Sequence, residues 1–192
     1  MAILRRSLLA VGFAAPVSSA PDDARRAERS LGNPHARQTV VEWFSLTCPH
    51  CAAFARDVFP DIRARWITPG NLRWVFDDFP TDMAALQAAM VARYLPPDRY
   101  ERFLTTLFVA QDRWAYVDNN KDALWRLAND AGMDRATFER AVVDTELRDW
   151  IVGQAMDAES RWHVSATPSF LIADRVYEGA MPASEFARLL AR

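Results

Sequence analysis

Thr39-Val40-Val41-Glu42-Trp43-Phe44-Ser45 runs directly into Leu46-Thr47-Cys48-Pro49-His50-Cys51, and the join between these two stretches decides the fold. The first stretch is β-branched and aromatic with a single charge, the composition of a buried strand. At Cys48 the pattern changes. Pro49 suits the first turn of a helix, where an N–H would have no partner, and Phe54, Val58, Ile62 and Trp66 follow at near-helical spacing. Pro60 is expected to kink this helix and Pro69-Gly70 to stop it. Leu72 to Phe76 reads as a second strand, so strand, helix and strand predict a parallel pair with a right-handed crossover. The C-x-x-C of Cys48 and Cys51 then sits at the mouth of the crossover helix.

Downstream, the chain from Asp82 to His163 loses strand character. Helices are expected near Met83 to Tyr94, Pro97 to Gln111, Lys121 to Asn129, Arg135 to Val143 and Thr145 to Trp162, with Gly132, Asp134 and Asp144 as stops and caps. Trp114, Trp125, Trp150 and Trp162 in this region read as packing rather than as a ligand box. After Thr167-Pro168, Ser169 to Ala173 and Val176 to Glu178 are two short strands joined by Asp174-Arg175, and Ser184 to Leu190 closes the chain as a helix. The ends therefore make one βαβ-then-ββα layer, and the middle is a helical insertion.

Upstream, Asp22 to Gln38 is polar and reads as a surface lead-in without a core of its own. Met1 to Ala20 has the three parts of a secretory signal: Arg5 and Arg6, the apolar run Ser7 to Val17, and the small residues Ser18-Ser19-Ala20 before a cut. The twin arginines leave the export route open. The apolar run is shorter than the roughly 20 residues that span a bilayer. Export would place the cysteines in an oxidising compartment.

Composition narrows the function. Of 192 residues 51% are hydrophobic, 25% are charged and only six are glycine, which excludes disorder, collagen and a coiled-coil rod. The 23 Lys and Arg against 25 Asp and Glu provide no basic field for a phosphate backbone, so nucleic acid is not an expected partner. Two cysteines and three histidines make neither a disulfide framework nor a closed zinc site, and no metal is expected.

The placement of the pair favours redox chemistry. Free amides at a helix start and the positive end of its dipole stabilise a thiolate, lowering the Cys48 pKa, while Cys51, one turn further in, should be less exposed. His50 beside it offers a hydrogen-bond donor or a positive imidazole to the same charge. Glu42 is the odd residue of its strand. Either it is a buried acid whose raised pKa lets it exchange protons near neutrality, or it points to a wet edge; the sequence allows both.

On Cys48-Pro49-His50-Cys51, on Thr167-Pro168 before the terminal hairpin, and on the long helical insertion, the stretch from about Leu31 to Leu190 resembles the thioredoxin-fold disulfide oxidoreductases, specifically the DsbA-like thiol:disulfide interchange proteins of the bacterial periplasm. The resemblance implies an α/β thioredoxin-like fold with a helical domain inserted between the βαβ and ββα halves. The signal would occupy 1–20, the lead-in 21–37, the thioredoxin-like domain 38–80 and 164–192, and the helical domain 81–163. Cys48 would be the solvent-facing redox cysteine and Cys51 its buried partner. Pro168 would be a cis-proline whose loop lies against the cysteines, with Thr167, Pro168 and Pro49 on the substrate side. Glu42 falls where relatives often carry a buried acid that relays the proton of Cys51. Tyr94 occupies a stretch where some relatives have an extra cysteine, so no second disulfide forms here.

The expected function is that of an exported, monomeric thiol oxidase that needs no metal or organic cofactor. Its clients would be reduced, unfolded exported proteins, and the family implies a quinone-linked membrane reoxidase of the DsbB type. Two alternatives stand beside it. One is an isomerase or reductase on the same fold, although Asp22 to Gln38 is too short for the dimerisation domain that such isomerases usually carry. The other is a holdase or copper-binding carrier that uses the two cysteines only as soft ligands.

Overall fold

The computed structural model describes residues 23–191, so the expected secretory signal lies outside the described residues. Five strands, β1 (Arg29–Gly32), β2 (Gln38–Phe44), β3 (Leu72–Asp78), β4 (Ser169–Ile172) and β5 (Arg175–Glu178), form one sheet in the spatial order β1-β3-β2-β4-β5. The central strand β2 runs parallel to β3, from Gln38 opposite Leu72 to Phe44 opposite Asp78, and antiparallel to β4. The parallel pair is joined, as its spacing predicts, by a helical crossover that starts at Pro49. The fold is the expected α/β one: the βαβ unit and the terminal hairpin with its helix share one sheet, and the helices between them pack on it.

The crossover is α1 (Pro49–Asp57), α2 (Phe59–Ile62) and a π-helical turn at Arg63–Ile67. Pro60 accounts for the break, because it lacks an N–H and its ring obstructs the carbonyl one turn earlier. The central helices are α3 (Met83–Arg93), α4 (Pro97–Val109), α5 (Gln111–Trp114), α6 (Asn120–Asp130), α7 (Arg135–Ala141) and α8 (Thr145–Trp162), and α9 (Ala183–Leu190) closes the chain. Asp82, Asp134 and Asp144 each accept a backbone N–H three residues on, capping α3, α7 and α8.

Alternation along β2 sends Val40, Glu42 and Phe44 into the main core and Val41 and Trp43 toward α8, where Trp43 packs on Trp162 at 6.5 Å. Beneath β2, Phe54 of α1 lies 4.8 Å from Phe170 of β4 and 5.7 Å from Phe186 of α9, tying the cysteine-bearing helix to both halves of the sheet. Each fully buried phenylalanine contributes roughly 1.5–3 kcal/mol. Trp114 is 1% exposed and donates to the Leu107 carbonyl, and Trp125 packs on Phe138, so both are packing residues.

Three expectations change. The segment read as a surface lead-in, 21–37, holds strand β1, paired antiparallel with β3 from Arg29 opposite Phe76. Its polar composition misleads because Arg29 is 2% exposed, lying over the Tyr100 ring and donating to the carbonyls of Ala24 and Arg93. The terminal hairpin turns on Ala173-Asp174, at φ 48° and 61°, one residue earlier than expected. Two central residues of positive φ match the strand twist, and alanine carries no sequence signal for that geometry. The helix expected from Pro97 to Gln111 ends at Val109, and Gln111 instead begins α5.

Candidate active site

Cys48 is the residue just before the first turn of α1, extended at φ −73° and ψ 120°, and its side chain caps no amide. Its sulfur is thereby free to face across the helix mouth. Both cysteines are free thiols; Cys48 is half-buried and Cys51 is 0% exposed. Opposite lies the loop that leads into β4. The Thr167–Pro168 peptide bond is cis, and the Cys48 thiol donates to the Thr167 carbonyl at 3.2 Å. That loop is anchored at both ends: Glu178 accepts from the amide and hydroxyl of Ser165, and Gly179 donates to the Pro168 carbonyl at 2.8 Å.

Electrostatics separates the two sulfurs. The neighbouring Cys51 thiol, then Thr167 and the N–H groups of Cys51 and His50 at the helix mouth, favour the thiolate by more than burial opposes it and bring Cys48 down to about 5. Cys51 moves the other way. Burial, then the hydrogen bond and charge of Cys48, push its thiol well above the ordinary range. A pair so divided has one sulfur that ionises and leaves easily and one that holds its proton.

Glu42 lies beneath this pair on β2. It is 3% exposed, accepts from the Trp74 indole at 2.9 Å, and burial pushes its carboxyl up to about 7. Of the two readings open in the sequence, burial is the one found. Its charge also raises Cys51. A cavity of about 20 Å³ beside it, walled by Phe54, Phe59, Phe76, Leu104 and Phe108, has room for roughly one water.

The structure thus brings Cys48, Cys51, Thr167 and Pro168 together over Glu42. Pro49 and His50 are exposed at the rim, and the influence of His50 on the sulfur comes from its backbone amide. Sequence reasoning missed Gln111 and Tyr116, whose side chains bond the backbone leading into α1. A glutamine and a tyrosine in a helical region carry no signal for that contact. Among the described residues, no three of His, Cys, Asp and Glu gather as a metal site.

The thioredoxin family's sequence model matches residues 25–192. A Rickettsia felis protein that bears the provisional name of a protein-disulfide oxidoreductase is 25% identical over 143 residues, 74% of this chain and 51% of that protein. The chain thus spans about half the length of this curated relative. Disulfide bond formation protein D of Bacillus subtilis is 26% identical over 151 residues, 76% of this chain and 68% of that protein. Among solved structures, alpha-DsbA1 of Wolbachia pipientis superposes with a TM-score of 0.80 at 29% identity, covering 85% of this chain and 89% of that one.

Proposed function

This chain belongs to the thioredoxin family, and on that premise we propose that it is a DsbA-type thiol:disulfide oxidoreductase, an oxidase that introduces disulfides into exported proteins through Cys48 and Cys51. The observation that carries the reading is the division of the two sulfurs, with Cys48 drawn down to about 5 at the helix mouth and Cys51 buried and pushed up. In the oxidised enzyme a substrate thiolate attacks the Cys48 sulfur, forming a mixed disulfide and expelling the Cys51 thiolate, which takes up a proton. In this reading Glu42, buried and with its carboxyl pushed up to about 7, supplies it. The substrate's second thiolate then attacks the substrate sulfur of the mixed disulfide and releases the Cys48 thiolate. Two electrons pass from substrate to enzyme, and the low pKa of Cys48 makes it a good leaving group and hence the protein an oxidant.

Thr167 and Pro168 hold the substrate chain. The Thr167 backbone, facing the Cys48 sulfur at 3.2 Å, takes an extended polypeptide by strand-like pairing and presents its cysteine. Pro49 and His50 form the exposed rim that such a chain crosses. The names of the Bacillus and Wolbachia relatives support disulfide chemistry, and the leader-like first twenty residues support export. The reading includes monomeric action and reoxidation by a quinone-linked membrane partner.

The test is equilibration with glutathione together with oxidative refolding of a reduced, unfolded model protein. The oxidase reading expects a potential well above that of glutathione and catalysed disulfide formation. Reduction of insulin without oxidative folding, or reshuffling of scrambled disulfides alone, would assign a reductase or isomerase instead. Copper retained through purification without exchange activity would assign a carrier.

A further inference from the structure

Three consecutive carbonyls lead into the cysteine-bearing helix and meet side chains some sixty residues away, the last of them also accepting the first intrahelical bond of α1 from Ala52 at 3.1 Å. Gln111, 7% exposed at the start of α5, donates from Nε2 to the Leu46 carbonyl at 2.8 Å and to the Cys48 carbonyl at 3.1 Å. Tyr116, in the turn after α5, donates its hydroxyl to the Thr47 carbonyl between them. The opposite flank is tied as well: Thr47 Oγ1 donates to Asp82 at 2.5 Å, and Ser45 bonds the hydroxyls of both Thr47 and Thr81. The backbone from Ser45 to Cys48 is therefore fixed from both sides.

A peptide carbonyl is the negative end of its dipole, and one turned toward a thiolate opposes it. With those of Leu46 and Thr47 drawn into the helical lobe and that of Cys48 closing the first turn of α1 with the Ala52 amide at 3.1 Å, the amides of His50 and Cys51 are the backbone groups that favour the Cys48 thiolate. The fit is specific. Gln111 offers two N–H groups from one uncharged side chain to two acceptors, whereas a carboxylate of the same shape would meet them oxygen to oxygen. Neither residue is among the hydrogen-bond partners of either sulfur, so Gln111 acts through the backbone, and the Tyr116 hydroxyl, which also feels the Cys48 charge, bonds the backbone rather than the sulfur.

We propose that Gln111 and Tyr116 are positioning residues for the redox cysteine, turning the carbonyls of Leu46 and Thr47 into the helical lobe so that the mouth of α1 presents amides to the Cys48 sulfur. The proposal rests on Cys48 being the exchanging cysteine. It assigns the inserted lobe a second duty, since its docking on the sheet then tunes the chemistry of a cysteine it does not carry.

The test uses three variants of the full chain: Gln111→Met, which keeps length and removes both donors; Gln111→Glu, which replaces donors by acceptors; and Tyr116→Phe, which removes one hydroxyl. Absorbance at 240 nm gives the Cys48 titration, and glutathione gives the redox equilibrium. For Gln111→Met the acid constant of Cys48 should fall about tenfold and the equilibrium should shift by a similar factor toward the oxidised enzyme, with a larger effect for Gln111→Glu and about threefold for Tyr116→Phe. Variants that fold and titrate at the wild-type midpoint would overturn the proposal. Should the Gln111 variants fail to fold, Tyr116→Phe decides alone, because that side chain is 59% exposed and its loss leaves the core intact. A wild-type Cys48 that titrates near its ordinary value would instead defeat the reading of the site, whatever the variants do.

Discussion

At Cys48 the largest single stabilisation of the thiolate is the hydrogen bond from Cys51, ahead of the amides at the helix start. Replacing Cys51 therefore separates donor from dipole. Cys51→Ala should raise the Cys48 titration midpoint by about a unit or more, while Cys51→Ser, which keeps a donor, should raise it less. Equal midpoints for the two variants would return the effect to the helix start. Glu42 offers a second experiment, because a buried acid whose folded pKa is about 7 against 4.5 unfolded costs stability wherever it must ionise. The cost is absent below the unfolded value, grows as pH rises from about 4.5 to 7, and levels off above, at roughly 3 kcal/mol. Glu42→Gln keeps the acceptor for Trp74 and removes the charge. Denaturant titrations should show the variant gaining on the wild type between pH 5 and pH 8, and a constant difference across that range would mean that Glu42 ionises freely.

Among the elements, the buried ion pair of Arg93 on α3 and Asp78 on β3, at 2.5 Å, joins the helical lobe to the sheet. Arg93 also donates to the carbonyls of Arg25 and Ala27, which draws the segment before β1 against the same point, and lies over Trp150 of α8 at 4.5 Å. Removing one partner leaves the other charge buried and two carbonyls unpaired. Arg93→Met should thus cost about 3–5 kcal/mol in a denaturant titration, and the double variant Arg93→Met with Asp78→Asn should recover part of it. No recovery in the double variant, or a loss under about 1 kcal/mol for Arg93→Met, would show that aromatic packing alone docks the lobe. This junction was not legible in the sequence, since Asp78 and Arg93 are individually ordinary. β2, α1 and β3 were legible because strand composition, a helix-start proline and spacing all agree there. β1 was not, because its buried arginine imitates a surface residue.

For the molecule as a whole, the oxidised and reduced forms should exchange rank with pH. Closing a ring of four residues stabilises the oxidised fold by only about 2 kcal/mol on the chain-entropy estimate. Against it stands the Cys48 thiolate, available only to the reduced form, with a folded pKa of about 5 against 9.0 unfolded. Discounted for the solvent exposure of a half-buried sulfur, it contributes about 2 kcal/mol at pH 7. A depressed acid pKa gives stability that is complete above the unfolded value and lost as pH falls through the folded one. The reduced protein should therefore melt higher near pH 8.5, the two forms should lie close together near neutrality, and the oxidised form should melt higher at pH 4. Paired melts at the two extremes settle the point; an oxidised form that melts higher at both would leave the thiolate too weak to drive oxidation.

Cys48-Pro49-His50-Cys51 between two strand-like stretches was sufficient to determine a βαβ unit and to place a cysteine pair at a helix mouth, because both rest on local composition and spacing; that the unit is thioredoxin-like came from resemblance. Thr167-Pro168 could be matched by resemblance, but only folding sets the Thr167 carbonyl 3.2 Å from the Cys48 sulfur, across 119 residues of chain. The burial of Glu42 was likewise a tertiary decision: alternation assigns it a face, and only the packing of α1 and Trp74 makes that face dry. Gln111 and Tyr116 mark the limit, since a polar side chain gains its role from the carbonyl it reaches, and no pattern in the sequence names an acceptor more than sixty residues away.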